Sequence, residues 1–480
     1  MVLSEFCGEY TADVALVDRE LRIGESFDLK KRELIMGGKQ VCLYYVDGFV
    51  KDHILQKLLE VMMNVKKMPD SPQTLIAREM PYIEAALYTD TERLVKEVLS
   101  GVSVFIIDGM KEAVAVNSRT YPARSVSEPE NDKVLRGSRD GFVETLLFNT
   151  AIIRRRIRDP QLTVKVKTVG RSSKTDVAVC YMDDRVDRKL LNSVLKKLDA
   201  IDVYALSMGH ESLAECLIEK KWYNPFPKIR YTERPDAATA MILEGSIILL
   251  CDSSPEAMML PTSIFDFLQE TGDYYYPPLT GSYLRLLRVA VFLLTIFLSP
   301  LWFLLIEHPE WLPQWLHFLD VDKEGALPIL FQLLLVEFVV DGLKMASLNT
   351  PNTLNNSLSV VGGLILGDFA VQTGWLVPEV ILYMGFVSIA NFTQPSYELG
   401  YALKFMRMIL LVLTALFDVT GFVAGTLLTL VLIASNKSVD GGRRYLYPLI
   451  PFNGRALKRL FLRVKLDCKK KEGKEGGKSK

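Results

Sequence analysis

Histidine is scarce in this chain, with four in 480 residues. The two closest in sequence, His308 and His317, lie in "EHPEWLPQWLHFLD" and not at the metal-ligand spacing of a helix. Catalytic signatures are missing as well. No GxGxxG opens a helix after a strand, and there is no Walker A loop, no HExxH and no GxSxG. Dinucleotide binding, zinc proteolysis and serine-hydrolase chemistry therefore have no sequence basis, no enzyme is expected, and no cofactor or metal is implied. Cysteine is sparse too: six residues without a CxxC pair, two of them (Cys180 and Cys251) inside apolar strand-like runs, read as reduced core thiols. A continuous apolar stretch behind a basic start is absent from "MVLSEFCGEYTADVALVDRE", so no signal peptide is expected and the region that follows should stay cytoplasmic. An excess of one charge is absent: Lys+Arg and Asp+Glu number 57 each. With no aromatic platform beside any basic cluster, nucleic acid is not an expected partner.

What is present changes sharply along the chain. Residues 1–273 are mixed and charged, whereas 286–435 are dominated by apolar runs broken by Gly, Pro and short polar turns. Two zones with different solvents are implied. The expected fold is an α/β cytoplasmic region of two lobes, 1–124 and 134–275, followed by an α-helical polytopic membrane domain, 286–435, and a basic cytoplasmic tail, 436–480. In the first lobe "FVKDHILQKLLEVMMNV" has helical periodicity, and "GVSVFIIDGMKEAVAV" reads as two strands joined at Asp108-Gly109. The second lobe alternates helical and strand-like runs from "DGFVETLLFNTAIIRRRIRD" to "GSIILLCD", which favours a sheet covered by helices.

Arg154, Arg155, Arg156 and Arg158 form the densest basic cluster of this zone. At a helix C-terminus they complement the dipole and can pair with carboxylates of a neighbouring lobe; contact with membrane phosphate or a partner is the alternative. In "TERPD", Glu233, Arg234 and Asp236 crowd around Pro235 before a helical run. Asp236 is expected to cap that helix and Arg234 to pair within the lobe or across a subunit boundary.

The apolar zone supplies four to six membrane segments. Residues 286–306 can span a bilayer, with Arg285 and Arg288 at the entry and Glu307, Glu310, Asp320, Asp322 and Glu324 beyond the exit, an asymmetry that puts the soluble zone inside. Trp311, Trp315 and Phe318 read as interfacial anchors. Residues 327–346 return, 358–373 and 376–392 form a pair in which the short first member is a crossing or re-entrant, and 405–434 is a steeply tilted helix or a hairpin broken near Asp418-Val419-Thr420-Gly421. From 443 to 480, thirteen Lys/Arg face three acidic residues. Such a tail belongs on the cytoplasmic side, where it can lie against anionic lipid, and it implies an even number of crossings.

Charge inside this zone needs a reason. Glu337, Asp341 and Lys344 share one face of the second segment, and a charge left in lipid costs about 2.5–3.5 kcal/mol even on the lenient insertion scale. Either Asp341 and Lys344 pair near the cytoplasmic end, or the face meets a water-lined path or a neighbouring subunit. In "VVGGLILGDFAVQTGW", Gly363, Gly367, Ala370 and Gly374 make a smooth stripe for helix packing, while Val361, Ile365, Asp368 and Gln372 lie on the other side and suit a pore lining.

Four stretches in order, "VLRGSRDGFVETLLFNTAIIRRRIRDP", "PFPKIRYTERPD", "VVGGLILGDFAV" and "YLYPLIPF", resemble the A subunits of spore germinant receptors, the GerA-type family of spore-forming bacteria. The likeness covers about 134–452. "SLNTPNTLNNSLSVVGGLILGDFA" and "ANFTQPSYELGYALKFMRMILLVLTALF" look most like the stage V sporulation protein AF branch. The resemblance implies a forespore or spore inner-membrane protein acting in germination, assembled as a homo-oligomeric, pentameric ring that passes cations, with both termini on the core side and other germination membrane proteins as partners. A non-conducting receptor or scaffold subunit is the alternative. This chain departs from many family members in having Gln372 at an otherwise acidic position and "DGLKMAS" in place of a Glu-Ala-Gly-Ile-Arg-Leu-Pro-like stretch.

Overall fold

Two runs of five consecutive buried residues, "SVFII" and "IILLC", are the central strands of two sheets, each covered by helices on both faces. The computed structural model describes residues 5–80, 84–121, 137–218, 221–321, 325–349, 362–363, 367, 369–437, 439, 441–442 and 444–464. The chain forms two compact units, the first made of Met1–Lys220, Ile229–Thr262 and Val439–Gly441, the second of Lys221–Lys228, Ser263–Ser438 and Gly442–Lys480.

The first unit contains one motif twice. Its first half runs α1 (Tyr10–Leu21), β1 (Leu29–Met36), β2 (Lys39–Val46), α2 (Asp52–Met63), α3 (Pro72–Arg78), β3 (Ala85–Tyr88), α4 (Thr91–Leu99), β4 (Ser103–Ile107) and β5 (Ala113–Val116). The second repeats that order as α5 (Leu146–Arg156), β6 (Leu162–Val169), β7 (Thr175–Met182), α6 (Arg188–Ala200), α7 (His210–Leu217), β8 (Arg230–Thr232), α8 (Pro235–Leu243), β9 (Ile247–Cys251) and β10 (Ala257–Leu260). Strand orders agree position for position, β1-β2-β4-β5-β3 and β6-β7-β9-β10-β8, and every pairing is antiparallel. The cores agree too. α1 and α4 pack on one face of the first sheet through Val17, Leu21, Leu94 and Leu99, with Leu58, Met62 and Leu75 of α2 and α3 on the other. α5 with α8, and α6 with α7, cover the second sheet in the same way.

The halves meet through a buried arginine. Arg154, at the end of α5, has no solvent exposure; its Nε donates to Asp28 Oδ2 at 2.6 Å and its Nη2 to Asp28 Oδ1 at 3.0 Å. Its remaining N–H groups donate to the carbonyls of Asp159 (3.0 Å) and Leu162 (2.9 Å) and to the Ser26 hydroxyl (3.3 Å), so every face of the guanidinium is used. Burial pushes the Asp28 carboxyl upward, but the charge and hydrogen bonds of Arg154, with help from Ser26, outweigh it and hold the group below the usual carboxylate range. The Phe27 N–H donates to the Val164 carbonyl at 2.8 Å, and Arg22 pairs with Asp183 at 2.7 Å.

The second unit is helical: α9 (Pro278–Glu307), α10 (Ile329–Asn349), α11 (Pro378–Phe392), α12 (Tyr397–Ser435) and α13 (Gly454–Phe461). Among the described residues, α9 and α12 are long and apolar enough to cross a membrane. α12 is a hairpin and not a tilted rod, because Asp418 takes φ 54° and ψ −136°, a non-helical conformation between the arms 397–417 and 419–435. Glycine makes the fold-back possible. A Cβ on Gly421 would stand 1.9 Å from the Leu413 carbonyl oxygen, and one on Gly425 3.2 Å from Leu410 Cα, so the arms pack backbone against backbone. The outer surfaces of these helices are apolar, with Leu286, Leu293, Phe338, Phe386, Leu416 and Leu430 exposed.

Candidate functional site

The two acidic residues of α10, Glu337 and Asp341, are met by cations on α12. Lys404 and Arg407 are three residues apart and so share a face of the first α12 arm, as Glu337 and Asp341, four apart, share a face of α10. Arg407 Nε donates to Glu337 Oε1 at 2.8 Å, its Nη2 donates to the same oxygen, and its Nη1 donates to the Thr295 carbonyl of α9 at 2.7 Å. Lys404 Nζ lies 3.3 Å from Glu337 Oε2 and pairs with Asp341 Oδ2. Two carboxylates therefore face two cations, and one guanidinium ties three helices together. Glu337, Lys404 and Arg407 are each no more than 5% exposed. Burial of this kind is tolerable only because each charge has both an opposite partner and hydrogen bonds.

The site residues expected from sequence fall as follows. Glu337 and Asp341 come together, but within one chain and on Lys404 and Arg407, which sequence reasoning passed over. Of the two alternatives for this face, the Asp341–Lys344 pair is not formed: Lys404, on the facing helix, takes the Asp341 carboxylate, and Lys344 Nζ sits over the rings of Phe392 (4.3 Å) and Tyr401 (5.5 Å). Val361, Ile365 and Asp368 lie outside the described residues, while Gln372 is exposed. Gly363 and Ala370 are helical, Ala370 in the turn Ala370–Gln372, whereas Gly374 lies beyond it at φ +73° in a turn where its carbonyl accepts the Ala326 N–H at 2.9 Å. A Cβ on Gly363, Gly367 or Gly374 would meet nothing within 4 Å.

In the first unit all four arginines of the basic cluster act inside the chain. Arg154 holds Asp28, Arg155 lies 4.6 Å from the Tyr121 ring centroid, Arg156 pairs with Asp140 at 2.6 Å, and Arg158 Nη2 is 3.5 Å from the Tyr121 hydroxyl. At α8, Arg234 and not Asp236 is the N-cap residue. Asp236 sits in the first turn because Pro235 occupies the first helical position; its carboxylate accepts from the Ala237 N–H at 2.8 Å and from Arg234 Nε (3.0 Å) and Nη2 (2.6 Å). The Glu233 carbonyl accepts the Phe142 N–H at 2.8 Å.

The two ends of the helical unit carry separate clusters. At the start of α9, Arg288 pairs with Asp273 and Glu270, both at 2.5 Å. At the other end, His308 stands between two carboxylates, with Nδ1 3.0 Å from Glu310 and Nε2 2.8 Å from Asp418 at the hairpin break, and its ring stacks on Trp311 at 4.2 Å. Hydrogen bonds to Glu310 and then Asp418 raise the His308 pKa above its ordinary value. The raised direction fixes the sign: this contact is whole below the ordinary imidazole range of about 6.5 and is lost as pH rises through the higher folded value. Trp311 emission, quenched by the stacked imidazolium, should therefore brighten as pH rises above about 6.5, and the His308→Gln variant should show no such step. Identical curves for parent and variant would rule the contact out.

An α/β region built as a tandem repeat, followed by an apolar helical unit whose buried charges neutralise one another, defines a two-part protein made partly for an apolar surround. The family model described as "Bacillus/Clostridium GerA spore germination protein" matches residues 19–474, and this chain belongs to that family. It is 37% identical over 446 residues to Stage V sporulation protein AF of Bacillus subtilis (strain 168), covering 92% of this chain and 90% of that one. Spore germination protein KA of the same organism is 27% identical over 458 residues, covering 94% and 84%. The crystal structure of the N-terminal domain of the A subunit of the Bacillus megaterium spore germinant receptor GerK3 matches with 24% identity and a TM-score of 0.41, covering 54% of this chain and 96% of that one.

Proposed function

We propose that this chain is one subunit of a homo-oligomeric cation channel in a spore membrane, releasing ions from the spore core during germination. The observation that carries the reading is the open surface at the described residues between Gly363 and Trp375. Gly363 and Gly367 have open space where a Cβ would stand, and Phe369, Gln372 and Trp375 are exposed, so the natural cover for this segment is another copy of the chain around an axis. Copies arranged in a ring would turn Asp368 and Gln372 toward a shared path, where Asp368 carboxylates concentrate cations and Val361 and Ile365 narrow the way. The paired charges of α9, α10 and α12 supply the rigid frame beside it. With α12 as a hairpin, the passes are α9, α10, the 358–373 segment, α11 and two arms; this even number leaves both termini on the core side, with the basic tail near anionic lipid and other germination membrane proteins within reach. No step in this role calls for catalysis.

A non-conducting receptor or scaffold subunit is the second reading, favoured by the mutual neutralisation of Glu337, Asp341, Lys404 and Arg407, which leaves none of these four free to bind a cation. Cation flux from liposomes holding the purified protein separates the two. Asp368→Asn should lower cation flux without preventing assembly; a variant that conducts with unchanged rate and selectivity would replace the channel reading with the scaffold.

A further inference from the structure

We propose that a cavity of about 810 Å³ between α10 and α11 binds a single-chain amphiphile with one anionic head, the head on Lys344 and the chain along the apolar wall. This does not rest on the channel reading. The volume lies within the ~300–1,000 Å³ of small-molecule sites. Val336, Val340 and Leu343 form the α10 wall and Ile381, Met384 and Phe392 the α11 wall. Among the described lining residues Lys344 alone is charged, and Ser347 and Ser388 supply the hydroxyls.

The charge arithmetic of the neighbourhood makes Lys344 the open valence. Glu337 and Asp341, the acidic residues of its own face, are engaged by Arg407 and Lys404. Among the described residues Lys344 has no ion-pair partner, and its ammonium rests against the faces of Phe392 and Tyr401. Aromatic faces compensate part of the lost hydration but leave the charge uncancelled. An anion at Nζ would complete the set, and the direction of the walls decides what the anion must carry. An inorganic anion gains nothing from six apolar side chains, a sugar or nucleotide finds too few donors and acceptors, and a neutral lipid leaves the ammonium unpaired. One acyl chain ending in a carboxylate or a phosphate satisfies both parts. Gly385 adds a control: it lines the cavity, and a Cβ there meets nothing within 4 Å, so a large side chain can fill the space without striking the backbone.

The test is native mass spectrometry of the purified full-length chain in neutral detergent, titrated with oleate, oleoyl-lysophosphatidate or oleyl alcohol. One oleate or lysophosphatidate per chain is expected, with oleyl alcohol weaker on the order of tenfold; whichever anion binds tighter identifies the source of the head. Lys344→Met should weaken oleate on the order of tenfold, Lys344→Arg should stay within about threefold, and Gly385→Phe should abolish binding. Oleyl alcohol binding as well as oleate, or Gly385→Phe binding like the parent, would overturn the assignment. Should Lys344→Met fail to fold, the head-group comparison and Gly385→Phe still decide it.

Discussion

Arg407→Met should destabilise the helical unit by about 3–5 kcal/mol, because it removes the principal partner of a buried carboxylate and leaves Glu337 facing Lys404 alone. Lys404 cannot cover the loss, since its ammonium already serves Asp341 and is the more distant of the two cations from Glu337. The Thr295 carbonyl would also lose its guanidinium donor. Removing both charges is a different experiment: Glu337→Leu with Arg407→Leu leaves Lys404 and Asp341 paired and fills the space with apolar volume, so the double variant should recover most of the loss. Unfolding in mixed micelles of increasing denaturing detergent reads both. A single variant within about 1 kcal/mol of the parent would mean that the pair holds nothing together.

Asp28→Asn should cost the α/β unit about 3–5 kcal/mol for the same reason in a drier place, since Arg154 has no solvent to turn to and keeps only neutral acceptors. The pH dependence gives a second measurement. Asp28 is held below the ordinary carboxyl range, so its stabilisation is whole above the unfolded value of about 3.9 and disappears as pH falls through the lower folded value. Thermal melts of the full chain from about pH 7 down to about pH 3 should show an acid limb in the parent that is shallower in Asp28→Asn. Parallel curves would show that Arg154 does not depend on the ionised form.

What could be read from sequence, and what could not, divides by distance along the chain. The break at Asp418 was legible because Asp-Val-Thr-Gly interrupts an apolar run too long for one crossing. The excess of charge on α10 was legible as a cost. Its partners were not: Lys404 and Arg407 stand 67 and 70 residues further on, and periodicity carries no information about which distant face an element meets. Their spacing of three was nevertheless a signal, since two cations on one face of an apolar helix carry the same cost as the acids they match. The duplication in the first unit was also present and unread. Gly101 and Gly245, both at positive φ, each follow a helix and open a buried strand, and Asp108 and Asp252 each precede a Glu-Ala pair at the same offset. Divergence hides the rest: Asp90 caps α4 through the N–H groups of Glu92 and Arg93, whereas the equivalent place before α8 holds Arg234. Gly374 read as a packing position but takes φ +73° in a turn, because glycine suits close packing and left-handed turns alike.

The separation between Glu337 and its cations bears on how the protein is made. Synthesis runs from the N-terminus, so α10 leaves the ribosome with Glu337 and Asp341 before Lys404 and Arg407 exist. For as long as those residues take to be added, a helix intended for an apolar surround holds two acids with no basic match from α12. If α10 crosses the membrane as proposed above, insertion machinery must either retain it beside a polar surface or release it late, together with the first arm of α12. Chains cut short before residue 397 should for this reason be poor substrates for stable integration and good ones for quality-control proteolysis, whatever the strength of their hydrophobic runs.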